Sequence, residues 1–134
     1  MLSETKSRKT GKQMLFIMLL LGSFMFANAQ EKGTSEVKPK VTFIELGSVN
    51  CIPCKQMQPV MKAIEKNYGE QVKVIFYDVW TPEQKKYASQ YKIKLIPTQV
   101  FLDENGKEFF RHEGFYPEKE IDKLLQGRGL KVKK

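Results

Sequence analysis

Hydrophobic and polar positions divide the last two-thirds of this 134-residue chain into alternating strand-like and helix-like stretches. Residues 41–46 (Val-Thr-Phe-Ile-Glu-Leu) are β-branched or apolar on both alternations, the pattern of a strand covered on both faces, so a central position in a sheet is expected. From Cys51 the period changes. Cys54, Met57, Val60, Met61, Ile64 and Tyr68 fall at helical spacing on one side, with Lys55, Lys62, Glu65 and Lys66 on the other, and Gly69 ends the helix.

Residues 72–79 form a second strand pattern, apolar apart from Lys73 and Asp78. Thr81-Pro82-Glu83-Gln84 then has the form of a capping box with proline in the first turn, which predicts a helix running to about Tyr91. A strand-helix-strand-helix order with these lengths implies parallel strands joined by a right-handed crossover. Residues 98–102 and 107–113 flank Asp103-Glu104-Asn105-Gly106, a strong hairpin signal. A last helix is predicted from Pro117 to Gly127, with Ile121, Leu124 and Leu125 turned inward. The expected architecture is α/β: a four-stranded mixed sheet in the order βαβαββα, flanked by three helices.

The ends carry different information. Lys6, Arg8, Lys9 and Lys12 precede an uncharged apolar run over residues 14–26 and a small-x-small step, Ala27-Asn28-Ala29. This predicts a signal peptide over residues 1–29, cleaved before Gln30, and hence an exported, periplasmic protein. The thirteen-residue run contains Gly22 and Ser23, whereas a bilayer span takes about 20 predominantly apolar residues, so a retained N-terminal membrane anchor is the lesser alternative. Residues 30–40 form a polar, flexible lead-in, residues 41–127 one domain, and residues 128–134 a basic tail expected to be solvated. The net charge of +8 drops to +5 once the leader is discounted, and no basic helix or aromatic platform accompanies the tail. Nucleic-acid binding is therefore not expected.

Chemistry is concentrated in Cys51-Ile52-Pro53-Cys54, which holds the only two cysteines, at the junction of the first strand and first helix. A disulfide stabilises mainly by closing a long loop in the unfolded chain, and a two-residue spacer leaves almost none to close. The spacing instead offers a nucleophilic thiol with a resolving thiol in reach. Cys51, at the helix start, is placed for attack, because unpaired N–H groups and the helix dipole favour a thiolate there. Export would put the pair in an oxidising compartment. Soft-metal binding is a reading of another class, but tetrahedral zinc wants four ligands and only a distant His112 accompanies the two cysteines. His112, on an edge strand between Arg111 and Glu113, is read as solvated decoration, Trp80 as packing at a strand end, and the methionines of the first helix as core fillers.

The order of elements, the Cys-x-x-Cys at this junction, Lys55 directly after it, Pro59 five residues beyond Cys54, the Ile96-Pro97-Thr98 step and Gly114 after the hairpin together resemble the thioredoxin family from about Val41 to Leu125. The resemblance implies a thioredoxin-like fold with a shortened N-terminus and a thiol-disulfide oxidoreductase that needs no cofactor or metal and works as a monomer. It implies Cys51 as nucleophile, Cys54 as resolving thiol, and Pro97 as a cis proline beside the disulfide. Glu45 stands where thioredoxins carry a buried acid and would accept the Cys54 proton; a side chain turned to water at a strand end is the alternative. Val49, Asn50, Ile52, Pro53, Ile96, Thr98 and Phe115 would contact disulfide-bonded protein substrates, with Tyr116 adjoining the rim.

Two departures matter: Asn50 and Ile52 replace the tryptophan and glycine usual in the family's Trp-Cys-Gly-Pro-Cys. Oxidants and isomerases of the family usually place histidine before the second cysteine, whereas this chain has Pro53, which resembles the reducing branch. Similar exported proteins draw electrons from a membrane thiol-transfer donor and serve apocytochrome c maturation or the repair of misoxidised envelope proteins. An oxidase or isomerase using the same residues is the alternative.

Overall fold

The computed structural model describes residues 37–133, so the expected signal peptide and most of the expected lead-in lie outside the described residues. The elements are β1 (Val41–Gly47), α1 (Ile52–Tyr68), a single 3-10 turn (Gly69–Gln71), β2 (Val72–Asp78), α2 (Lys86–Gln90), β3 (Thr98–Asp103), β4 (Glu108–Glu113) and α3 (Glu118–Gly127). The strands form one sheet in the order β2-β1-β3-β4. β1 runs parallel to β2 and antiparallel to β3, and β3 and β4 make the hairpin. This is the expected four-stranded mixed sheet with three helices.

β1 is central because both its faces are apolar. Val41 and Phe43 enter a core with Met57, Val60, Met61, Ile64 and Tyr68 of α1, Phe101 of β3, and Ile121 and Leu125 of α3. Ile44 and Leu46 point the other way, against Val79, Val100 and the partly buried Tyr87 and Tyr91 around α2. Each large side chain so buried contributes roughly 1.5–3 kcal/mol. Phe43 and Phe101, opposite each other in register, also stack with ring centroids 4.7 Å apart. Gly69 closes α1 at φ 54°, a left-handed conformation that glycine adopts without Cβ strain.

α2 is shorter than the capping-box pattern predicts. The Thr81 hydroxyl does accept the Gln84 N–H at 3.3 Å, but the Gln84 side chain does not return to Thr81: its Oε1 accepts the Asp78 N–H at 2.7 Å. The Thr81 N–H donates to the Asp78 carbonyl instead. With Gln84 committed to the end of β2, residues 81–85 form turns and regular helix begins only at Lys86. The hairpin turn is as predicted: Asp103 Oδ1 accepts the N–H groups of Asn105 and Lys107, and Gly106 has φ 77°.

The basic side chains Arg128, Lys131 and Lys133 are exposed as expected, but the backbone of the tail is fastened. Leu130 is buried in the α1/α3 core, the Lys131 backbone makes two hydrogen bonds with the Gln71 side chain, and the Lys133 N–H donates to the Asn67 carbonyl at 2.7 Å. One apolar residue among the lysines is enough to fasten the segment, and the ordered domain extends past Gly127.

Candidate active site

The site lies where β1 hands over to α1. The chain turns at Ser48-Val49-Asn50, with the Asn50 N–H donating to Ser48 Oγ and the Cys51 N–H to the Ser48 carbonyl, both at 3.2 Å. Cys51 is the N-cap of α1: its backbone is extended (φ −97°, ψ 126°), and its carbonyl accepts the Lys55 N–H as the first helical bond. Pro53 occupies the first turn, where a missing N–H costs nothing, and no acidic side chain opposes the positive helix end there.

Cys51 and Cys54 are joined by a disulfide. The two sulfurs are not equivalent. Cys51 is 8% exposed, whereas Cys54 is fully buried over Gly47, the last residue of β1. Glu45 is the next residue on the same face of β1. The register of β1 with β3 sets Thr98 opposite Leu46, which brings Pro97 beside Gly47, and the Ile96–Pro97 bond is cis. The Pro97 carbonyl accepts the Gly114 N–H at 2.7 Å, which holds the end of the hairpin, and the exposed Phe115 beyond it, at this edge of the sheet.

Glu45 is fully buried, not turned to water. One oxygen accepts a 3.4 Å hydrogen bond from the Gln99 amide across the β1–β3 pair, and its other oxygen and the Gln99 carbonyl oxygen have no partner. Burial in these apolar surroundings pushes the carboxyl up to about 8, the Gln99 hydrogen bond drawing it partly back. That value lies near an ordinary thiol's, about 8.5, which suits exchange of a proton between the two groups.

Of the rim residues, Val49, Asn50, Ile52, Pro53 and Phe115 are exposed and Ile96 is half-buried. Thr98 differs. It is fully buried, and its hydroxyl donates to the Leu95 carbonyl at 2.7 Å, so its side chain braces the cis-proline loop without lining the surface. His112 is half-buried and stacks on Tyr116 at 4.3 Å. Trp80 does not pack: it is 61% exposed. Among the described residues no cluster of three or more His, Cys, Asp or Glu is arranged to hold a metal.

Sequence reading missed Asp78 and Gln99. Asp78 accepts the Val49 N–H on one oxygen and the Trp80 N–H on the other, each at 3.1 Å, and so couples the cysteine loop to the end of β2. An acid ending an otherwise apolar strand was its only signal. Gln99 showed itself only as a polar residue in an apolar run, and its meaning depends on the cross-strand register.

A family model described as a thioredoxin-like domain matches residues 26–128. The chain belongs to the thioredoxin family. It is 32% identical over 83 residues to the SPbeta prophage-derived thioredoxin-like protein YosR of Bacillus subtilis, covering 62% of this chain and 92% of that one. It is 26% identical over 92 residues to the thioredoxin of the same organism, covering 69% and 86%. Among solved structures it resembles Malassezia sympodialis thioredoxin, at 31% identity and TM-score 0.56 over 68% of this chain and 79% of that one. Fasciola hepatica thioredoxin matches at 27% identity and TM-score 0.57 over 69% and 84%. The fold is thioredoxin-like, and the paired cysteines at its helix start make the protein a thiol-disulfide oxidoreductase acting on disulfide substrates.

Proposed function

We propose that this thioredoxin-family protein is an exported protein-disulfide reductase, recharged by a membrane thiol-transfer donor. The reading of direction rests on Pro53 standing where a histidine would stabilise the Cys51 thiolate and favour an oxidant. The reading of location rests on the basic, apolar and small-x-small segments of residues 1–29.

The observation that carries the mechanism is the unequal burial of the two cysteines, with Glu45 on the face beneath the inner one. In the reduced protein the Cys51 thiolate, favoured by the helix terminus, attacks a substrate disulfide. A Cys51–substrate disulfide forms and one substrate sulfur leaves as thiolate. Glu45, in its ionised form, takes the proton of Cys54. The Cys54 thiolate then attacks the Cys51 sulfur, the second substrate thiolate departs, and the Cys51–Cys54 disulfide is left. Two electrons pass to the substrate, and two more from the donor restore the dithiol. Ile96, next to a proline that lacks an N–H, offers its backbone to an extended substrate by strand addition.

The test is the state of the pair in intact source cells after rapid thiol quenching, together with its equilibrium against glutathione. A reductase is expected to show a potential of about −250 mV or lower and a mostly reduced pair that becomes oxidised when the membrane donor is deleted. A mostly oxidised pair with a potential near about −120 mV would overturn the direction and make the protein an oxidant.

A further inference from the structure

The one indole of the chain is on the surface, two residues past the Asp78 whose carboxylate holds the loop before Cys51. Tryptophan is among the side chains most buried on average, and an exposed apolar patch on a small domain marks a contact surface. Trp80 at 61% exposure adjoins the loop bearing Val49 at 53%, and Ile52 at 74% follows the attacking cysteine. The family's usual aromatic position directly before the first cysteine is Asn50 here.

The backbone of Trp80 is held by the end of β2. The Asp78 carboxylate, itself nearly buried, accepts the N–H groups of Val49 and Trp80 on its two oxygens, so the two amides lie one carboxylate and two hydrogen bonds apart. The Asp78 N–H donates to Gln84, the Asp78 carbonyl accepts both the N–H and the hydroxyl of Thr81, and the Val79 N–H donates to the Gly47 carbonyl at 2.9 Å. Val79 is buried against the α2 side of the sheet. The backbone under the indole is therefore fixed relative to the Cys51 loop before any substrate arrives. Only the indole's own rotamers remain to be ordered when it is covered.

We propose that Trp80, with Val49 and Ile52, selects polypeptide disulfides that carry a bulky apolar side chain within a few residues of the half-cystine attacked by Cys51. The indole supplies from the neighbouring loop the aromatic contact that the position before the first cysteine lacks. Large aromatic anchors dominate binding energy at such contacts. The proposal rests on Cys51 being the attacking sulfur.

The test compares two disulfide-linked peptides that differ only in having phenylalanine or serine next to the half-cystine. The wild-type reduced protein is expected to favour the phenylalanine peptide in kcat/KM by about tenfold, mostly through KM. In Trp80→Ala that ratio falls to within about twofold of unity, and in Trp80→Phe most of it is retained. The second readout needs no turnover: Trp80 emission in the oxidised protein should shift to the blue when the reduced phenylalanine peptide is added, and not with the serine peptide. A ratio near one in wild type, a ratio unchanged in Trp80→Ala with unaltered circular dichroism, or an emission blind to the phenylalanine peptide each overturns the proposal. If wild-type protein reduces neither peptide, the underlying reductase reading fails instead.

Discussion

Cys54 rests directly on Gly47: a Cβ added to Gly47 would come within 3.1 Å of Cys54 Cβ and 3.2 Å of Cys54 Sγ, and within 3.4 Å of the Phe76 ring. The resolving sulfur is thus seated on bare backbone, with Glu45 next on the same face.

Gly47→Ala tests that seat. The substitution gains ~0.4–1 kcal/mol by restricting the unfolded chain, whereas overpacking against a side chain pinned by its helix costs ~1–3 kcal/mol. Overpacking should win, and urea denaturation of the oxidised protein is expected to show a net loss of about 1 kcal/mol, with a larger loss for Gly47→Val. Resolution of mixed disulfides should slow in both variants. An alanine variant as stable and as fast as wild type would show that Cys54 has room to move.

Glu45 gives stability a pH dependence of known sign. Its folded value, about 8, stands above the ordinary 4.5, so between these the folded protein holds a proton that the unfolded chain has lost. Stability is therefore full below pH 4.5 and falls as pH rises to about 8, by on the order of 5 kcal/mol at 1.36 kcal/mol per unit. Glu45→Gln removes this slope. Denaturant titrations of the oxidised protein should show the variant gaining on wild type by a few kcal/mol between pH 5 and pH 9, about the span of the shift. The same variant should resolve mixed disulfides more slowly near neutrality, and equal turnover at every pH from about 6 to 9 would leave Glu45 a structural role only.

Much of this was legible in the sequence, for reasons that also explain what was not. β1 and α1 declared themselves because burial on both faces and burial on one helical stripe leave different periods, and the Asp103–Gly106 turn because its bonds are local. Cys51 and Cys54 were readable from spacing, and Glu45 from its apolar neighbours. The shortened α2 was not, because Gln84 answers to the Asp78 N–H at the end of another element. Trp80 was misread because hydropathy assigns an indole to a core, and only the Asp78 clamp shows that its backbone is held at the surface. Thr98, like Gln99, depends on what its side chain meets, a carbonyl three residues back in one case and a carboxyl fifty-four residues away in the other.

Gln99 should tune Glu45 without touching the sulfurs' order of events. Its amide is the one hydrogen-bond partner of that carboxyl, and the bond holds the value down. No charged neighbour contributes to the shift of Glu45, which burial raises and the Gln99 bond alone opposes. Gln99→Leu nearly keeps the size and removes the bond, so Glu45 should titrate higher. The pH profile of mixed-disulfide resolution is expected to move up by the same amount, which a loss of packing alone would not produce. An unmoved profile would mean that burial sets the value by itself.

The last prediction separates the two cysteines. Cys51 is the N-cap of α1 and retains 8% of its surface, while Cys54 retains none and lies over Gly47. A substrate disulfide can approach the first sulfur and not the second. Cys51→Ala should therefore abolish reduction of insulin disulfides and leave no adduct, since the remaining thiol is out of reach. Cys54→Ala should still attack, and with no second thiol to release the product it should accumulate mixed disulfides with substrates, visible as reductant-sensitive bands on non-reducing gels and as adduct masses. The geometry forbids the converse. Adducts on Cys51→Ala and none on Cys54→Ala would mean that the helix start opens far enough in solution to exchange the roles, and the seat over Gly47 would then be no barrier to attack.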